Sequence, residues 1–329
     1  MAAEVTFVMP AYNAGKYIQE AVASLQGQSV ADWELIIVND GSTDDTLETS
    51  RLLAASDVRI RVISMEKGSG SAYQPRKRAI MEADTSLVAP IDADDWVEPD
   101  YLAKLLQKME ETGADIVYPT MYSPSVNGQS PVRITPSGEF HYERVYDGKE
   151  SVKFTLDGWR INCNGGLIRK SLYEETFEKF DSSLTYSCAD ELLTRQLLWL
   201  TPKVAFSDAV YYYRPNEESI TRRPSLKLFD FLINSRTLVE FAADRFGKDS
   251  EEYLLAQRQN FHSYFNALRV LDKYRFTKAD EGSALRLIKD HSKSIDSKFL
   301  KGKVSPRYLM LLKSGITASR LALQLKKNR

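Results

Sequence analysis

Val88-Ala89-Pro90-Ile91-Asp92-Ala93-Asp94-Asp95-Trp96 is the stretch on which the reading of the whole chain turns. An apolar run from Leu87 to Ile91, broken by Pro90, suits the end of a buried parallel strand. It stops abruptly in three carboxylates within four residues, which repel one another and are costly to crowd together without a counter-charge. A strand end that carries acids into a crevice is where an open α/β sheet places its ligand. Oxygen-only ligands of this kind suit a hard cation such as Mg²⁺ or Mn²⁺, and such cations usually bring phosphates with them. The same residues also fit a polar turn and helix cap, with Glu98-Pro99-Asp100 opening the next helix.

Outward from this stretch, strands and helices alternate. Glu4–Met9 reads as a first strand, running into Pro10-Ala11-Tyr12-Asn13-Ala14-Gly15. Tyr17, Ile18, Ala21, Val22 and Leu25 then have helical spacing. Leu35–Val38 is a second strand, followed by the turn-forming run Asn39–Thr46 and a helix to about Ala55. Arg59–Ile63 is a third strand, and Pro75 opens a helix through Met81 after a Gly/Ser loop. Asp100–Glu111 is helical and Ala114–Tyr118 extended. This alternation predicts a mostly parallel α/β sheet with helices on both faces. Strands one, two and four then end on one edge, so Tyr12, Asp40 and the Asp92–Asp95 acids converge there.

Residues 119–147, rich in Pro, Ser, Gly and Tyr, read as a loop or hairpin excursion. Ile161–Ile168 reads as a strand, Lys170–Phe177 as a helix, and Asp190–Leu198 as a helix with two acids in its first turn. Lys203–Phe206 and Ala209–Arg214 read as two short strands. Beyond Ser225 the pattern is helical, with breaks near Gly247, Thr277 and Ser305.

The formal net charge of −1 over 329 residues hides an asymmetry. From Leu226 to Arg329 there are 21 Lys and Arg against 11 Asp and Glu, a net of +10, which leaves residues 1–225 at −11. A basic final third suggests an anionic partner such as a membrane surface or polyanionic acceptor, and no nucleic-acid motif accompanies the charge. Two cysteines, Cys163 and Cys188, form no disulfide framework. Neither a signal peptide nor an apolar run of about 20 residues is present, so the expectation is a cytoplasmic protein, in peripheral contact with the inner face of a membrane at most.

Pro-Ala-Tyr-Asn (10–13), Val-Asn-Asp-Gly-Ser-Thr-Asp-Asp-Thr (38–46), Pro-Arg-Lys-Arg-Ala (75–79) and Asp-Ala-Asp-Asp (92–95) together resemble a family 2 glycosyltransferase of GT-A fold. Asp190-Glu191 and Tyr211-Tyr212-Tyr213-Arg214 through Ser219-Ile220-Thr221 extend the resemblance to about residue 225. It implies a catalytic domain over 1–225, with a nucleotide-sugar half to about 118 and an acceptor half after it, followed by a basic helical domain over 226–329.

The resemblance also implies roles. Pro10 and Tyr12 would lie in the donor loop with Tyr12 flanking the base, and Asp40 would bond the uracil ring. Arg76 would serve the nucleotide site, with Lys77 replacing the family's usual Asn. Asp92 would face ribose or sugar and Asp94 the Mn²⁺ or Mg²⁺, with Asp95 as cap or support. Arg214, Ser219, Thr221, Arg222 and Arg223 resemble a segment closing over the donor diphosphate. The reaction expected is inverting transfer from a UDP-sugar to a hydroxyl of a cell-surface glycan or polyol-phosphate polymer.

Such a transfer needs a positioned base for the acceptor proton. His141, His262 and His291 lie outside every edge motif, which leaves Glu191 as first choice and Asp190 as second. A weaker similarity to teichoic-acid-modifying transferases suggests His262 and Arg269 as acceptor contacts. Lys301–Arg329, with eight basic residues and no acidic one, reads as a basic amphipathic helix for membrane or subunit contact. A nucleotidyltransferase and a non-catalytic carbohydrate-binding or scaffold protein are the alternative readings. The first lacks a Gly-rich triphosphate loop after strand one; the second does not need the acids that are present.

Overall fold

In a computed structural model the described residues are 3–124, 130–135, 141–156, 161, 164–180, 184, 186–215 and 224–327. The chain divides into two compact units, Met1–Thr185 with Ala189–Asn216, and Tyr186–Cys188 with Glu217–Arg329.

In the first unit the strands are β1 (Val5–Ala11), β2 (Trp33–Asn39), β3 (Ile60–Ser64), β4 (Leu87–Pro90), β5 (Trp96–Val97), β6 (Ile116–Ser123), β7 (Val132–Thr135), β8 (Leu167–Arg169) and β9 (Val204–Tyr212). They form one sheet in the order β3-β2-β1-β4-β8-β6-β9-β5, with β7 paired to β6. β3, β2, β1 and β4 are parallel. β8 runs antiparallel to both β4 and β6, and β9 runs parallel to β6. The carboxyl ends of β1, β2, β4, β6 and β9 therefore share an edge with the amino end of β8.

Helices α1 (Ile18–Gln26), α2 (Thr46–Ser56), α3 (Tyr73–Glu82), α4 (Tyr101–Thr112), α5 (Gly148–Leu156), α6 (Lys170–Lys179) and α7 (Ala189–Leu200) complete the unit. Their apolar stripes explain their position. α1 buries Ile18, Ala21, Val22 and Leu25, and α4 buries Tyr101, Leu102, Leu105 and Met109, in one core with Phe7, Met9, Leu35 and Ile37 of the sheet. Gly113, at φ 60°, ends α4 in the left-handed conformation.

Three sequence expectations change. The two short strands expected at 203–206 and 209–214 are a single strand, because the polar pair Ser207-Asp208 is absorbed as a register shift against β6 near Pro119. The strand expected over 161–168 contracts to Leu167–Arg169, since Gly165 turns the chain at φ +73° and its N–H donates to the Pro90 carbonyl at 2.7 Å. A Cβ at Gly165 would meet the Tyr211 ring at 2.9 Å, so the close approach requires glycine. Within 119–147, β6 continues to Ser123 and pairs antiparallel with β7, the hairpin form of that excursion.

The second unit holds α8 (Asp230–Arg245), α9 (Glu251–Lys273), α10 (Lys278–Lys293), α11 (Pro306–Ser314) and α12 (Ile316–Lys327). The expected breaks are caps. Ser250 Oγ accepts from the Tyr253 N–H, Thr277 Oγ1 accepts from the Asp280 N–H, and Pro306 opens α11. Phe261, Tyr264, Phe265, Leu268 and Leu271 of α9 pack with Ala284 and Ile288 of α10. The single amphipathic helix expected near the end of the chain is instead two helices, because Gly315 at φ 88° interrupts it. Leu309 is buried, whereas Leu321 and Leu325 are exposed. No helix among the described residues is long and apolar enough to cross a membrane.

His291 is buried in this unit, with Nε2 2.9 Å from the Asn260 carbonyl oxygen, and burial lowers its pKa below the usual histidine value. A depressed histidine contributes stability above its unfolded value that is lost as pH falls through the folded one. Thermal unfolding followed from pH 7 to 5 is expected to show a steeper fall for the wild type than for His291→Gln.

Candidate active site

Two loops build the first wall of the strand-end cleft. Asn13 sits at φ 50°, a left-handed conformation that Asn tolerates, and its side-chain oxygen accepts from the Thr43 N–H at 2.8 Å. The Ala14 N–H donates to Thr46 Oγ1 and the Gly15 N–H to Asp44 Oδ2, so the loop after β1 is pinned to the loop after β2. The Tyr12 side chain stands exposed, within van der Waals reach of a methyl placed at Gly68. Gly41, at φ +68°, lies against the Gly68 backbone, where a Cβ would approach the amide nitrogen to 2.6 Å.

Asp40 is buried, and its carboxylate accepts from the Ser69 N–H at 2.8 Å and from Ser69 Oγ at 2.9 Å. It thus anchors the Gly/Ser loop; Asp44, not Asp40, supports the start of α2 by accepting from the Thr46 N–H and Oγ1. Pro10 is buried inside β1, opposite Val38.

The second wall is the acidic loop after β4. Arg76, on α3 and 2% exposed, places Nη2 3.0 Å from Asp92 Oδ1. Asn164 Nδ2 donates to the other Asp92 oxygen at 2.7 Å. Asp95 is also fully clamped: the Tyr211 hydroxyl donates to one oxygen at 2.6 Å and the Arg214 N–H to the other at 2.7 Å. The Asp92 N–H donates in turn to the Tyr211 hydroxyl at 3.2 Å. Asp94 lies half-buried between the two.

These surroundings set the charges. Burial pushes the Asp92 carboxyl up to about 6, against the pull of Arg76, and the negative charges of Asp94 and Asp190 add to the rise. Burial raises Asp95 well above the usual carboxylate range, reinforced by Asp92 and Asp94 and opposed by the hydrogen bonds from Tyr211 and Arg214. Among the described residues no group of three His, Cys, Asp or Glu side chains is arranged to hold a metal ion.

Asp190 and Glu191, adjacent in the first turn of α7, are placed differently. The charge of Asp190 is felt at Asp92, whereas Glu191 pairs along its own helix with Arg195, Oε2 to Nη1 3.4 Å. Arg195 is buried and bonded to Thr155 of α5, which draws Glu191 toward that side.

Arg214 does not stand apart as a diphosphate clamp: its Nε donates to the Asp94 carbonyl at 2.8 Å and its Nη2 to Glu20 at 2.6 Å. Lys77 lies over the Phe177 ring, 5.0 Å from its centroid. Ser219, Thr221, Arg222 and Arg223 fall outside the described residues. His262 and Arg269 belong to the second unit, at exposed positions of α9, where burial and then the charges of Arg269 and Arg258 lower the His262 pKa. Sequence reading missed Asn164, Ser69 and Glu20. Asn164 was detectable through the Asn-Gly-Gly run that follows Cys163; Ser69 and Glu20 carry no local signal.

Residues 6–177 match the family model described as glycosyl transferase family 2, just over half of the chain. The chain belongs to that family. Over 267 residues it is 27% identical to the glycosyltransferase GlyA of Streptococcus pneumoniae, covering 78% of this chain and 37% of GlyA. Over 221 residues it is 28% identical to GlyG of the same organism, covering 66% of this chain and 73% of GlyG. Among solved structures, S. aureus TarS residues 1–349 in complex with UDP-GlcNAc superposes with a TM-score of 0.69 at 18% identity, covering 96% of this chain and 88% of that one. The family 2 chain thus has the GT-A architecture followed by a helical region, and it is a glycosyltransferase.

Removing one partner of a buried ion pair costs about 3–5 kcal/mol, because the other charge is left uncompensated. Arg76→Met is expected to lower the unfolding free energy by roughly that amount, and Asp92→Asn in the same chain to recover most of it, as measured by chemical denaturation.

Proposed function

We propose that this family 2 glycosyltransferase moves a sugar from a UDP-sugar to a hydroxyl of a cell-surface glycan or polyol-phosphate polymer, with inversion. The observation that carries the proposal is the gathering of Tyr12, Asp40, Arg76, the Asp92–Asp95 loop and Asp190 at one sheet edge. The TarS structures in complex with UDP-GlcNAc and with UDP support a uridine donor. Tyr12 and Asp40 would flank the base.

A divalent cation, Mn²⁺ or Mg²⁺, fits the charge deficit of the acidic loop. Asp94, half-buried in that loop and the acid the family resemblance sets on the metal, is the ligand we assign. One carboxylate plus diphosphate oxygens is a donor set suited to a cation that arrives with its nucleotide. When bound, the ion supplies electrostatic stabilisation of the leaving diphosphate. Arg76 holds Asp92 toward the ribose and sugar side, and Asn164 fixes the carboxylate plane.

A single displacement needs one base on the acceptor side. The electrostatic reach of Asp190 to Asp92 supports Asp190 in that role, with Glu191 held by Arg195 as its neighbour. This reverses the order of preference drawn from sequence. The chain spans about a third of GlyA, so the acceptor assignment rests on the site and on charge. His262 and Arg269 are proposed as contacts to acceptor phosphates. The segment from Lys301, basic throughout and with Met310 and Leu321 exposed, is proposed to meet an anionic membrane surface.

In a donor screen read by free UDP, Asp190→Asn is expected to lose about 10²–10⁴-fold in rate while Glu191→Gln stays within about tenfold of wild type. Full activity of Asp190→Asn with a dead Glu191→Gln overturns the base assignment. UDP is expected to raise the melting temperature only with Mn²⁺ present, and Asp94→Asn to abolish that shift.

A further inference from the structure

Arg214 is bound at both ends of its side chain. Its main-chain N–H holds Asp95, its Nε holds the Asp94 carbonyl, and its Nη2 reaches Glu20 Oε2 at 2.6 Å. The guanidinium lies over two rings, 4.3 Å from the centroid of Trp96 and 5.3 Å from that of Tyr17. Trp96 is itself stacked on Tyr212, with centroids 5.2 Å apart and planes 17° from parallel. Glu20 stands in the first turn of α1, directly after the loop that carries Tyr12. The Glu20–Arg214 bond therefore joins the base side of the cleft to its acidic side, across 194 positions of sequence.

Asp94, whose carbonyl accepts from Arg214 Nε, carries a carboxylate of its own. A guanidinium pairs readily with whichever carboxylate is best placed. Glu20, with the two aromatic faces, supplies another place for it.

We propose that Glu20 is a positioning residue for the acidic loop: by holding the Arg214 guanidinium against Trp96 and Tyr17, it keeps that cation off Asp94 and fixes the loop in the form that receives a divalent cation. This rests on the donor-site reading above. The Glu20 side chain is 57% exposed, and an ion pair so exposed contributes little to overall stability. A purely structural role therefore predicts almost no effect of its removal, whereas a positioning role predicts a local one.

The test uses the full chain as wild type, Glu20→Gln and Glu20→Ala. Amide hydrogen exchange of residues 92–96 without ligand reads the loop directly, and Mn²⁺ binding in the presence of UDP, followed by the electron paramagnetic resonance of free Mn²⁺, reads its consequence. Both variants are expected to keep the wild-type melting temperature and to exchange the 92–96 amides several-fold faster. The Mn²⁺ dissociation constant is expected to rise about tenfold, the lower range for residues that orient a metal ligand. Exchange at 92–96 equal to wild type overturns the proposal, as does faster exchange with unchanged Mn²⁺ affinity. A wild type that binds no Mn²⁺ with UDP overturns the metal assignment instead, and the exchange measurement still decides the role of Glu20.

Discussion

Crowding of negative charge at the end of β4 is the constraint on which the rest of the site depends. Asp92, Asp94 and Asp95 share one short loop, where burial disfavours ionisation of Asp92 and of Asp95. The fold answers with the buried guanidinium of Arg76 on one acid, and with the Tyr211 hydroxyl and the Arg214 amide on another. The compensation is partial, since both carboxyls remain raised.

Sheet topology makes the compensation possible. β8 runs antiparallel between β4 and β6, so its beginning, and not its end, lies beside the end of β4. Asn164 and Gly165 precede β8 directly, which brings an amide onto Asp92 and a glycine amide onto the Pro90 carbonyl. β9, parallel to β6, ends at the same edge and delivers Tyr211 and Arg214 from more than a hundred residues away. Three separate chain segments, α3, the approach to β8 and the end of β9, thus converge on one short loop.

The opposite wall follows from local chemistry. Asn13 accepts the left-handed turn and bonds Thr43, while Asp44 and Thr46 receive the amides of the first loop. Two strand ends are held together through side chains that also start a helix. The Gly/Ser loop is then drawn onto Asp40 by Ser69.

Much of this was legible in the chain itself. Apolar periodicity placed β1 to β4 and the helices between them, and the short motifs at 10–13, 38–46 and 92–95 marked the strand ends, because turn chemistry and hydrophobic period are local properties. Family membership followed from the same ordered motifs, and the helical pattern beyond Ser225 showed its breaks near Gly247, Thr277 and Ser305. Tertiary structure alone decided the rest. Asp190 and Glu191 are neighbours in sequence, and only the structure shows that Glu191 pairs with Arg195, which is itself bonded to Thr155 of α5. The partners of Arg214, the contraction of β8 and the break at Gly315 likewise depend on contacts between distant segments or on a backbone angle, which no window of sequence contains.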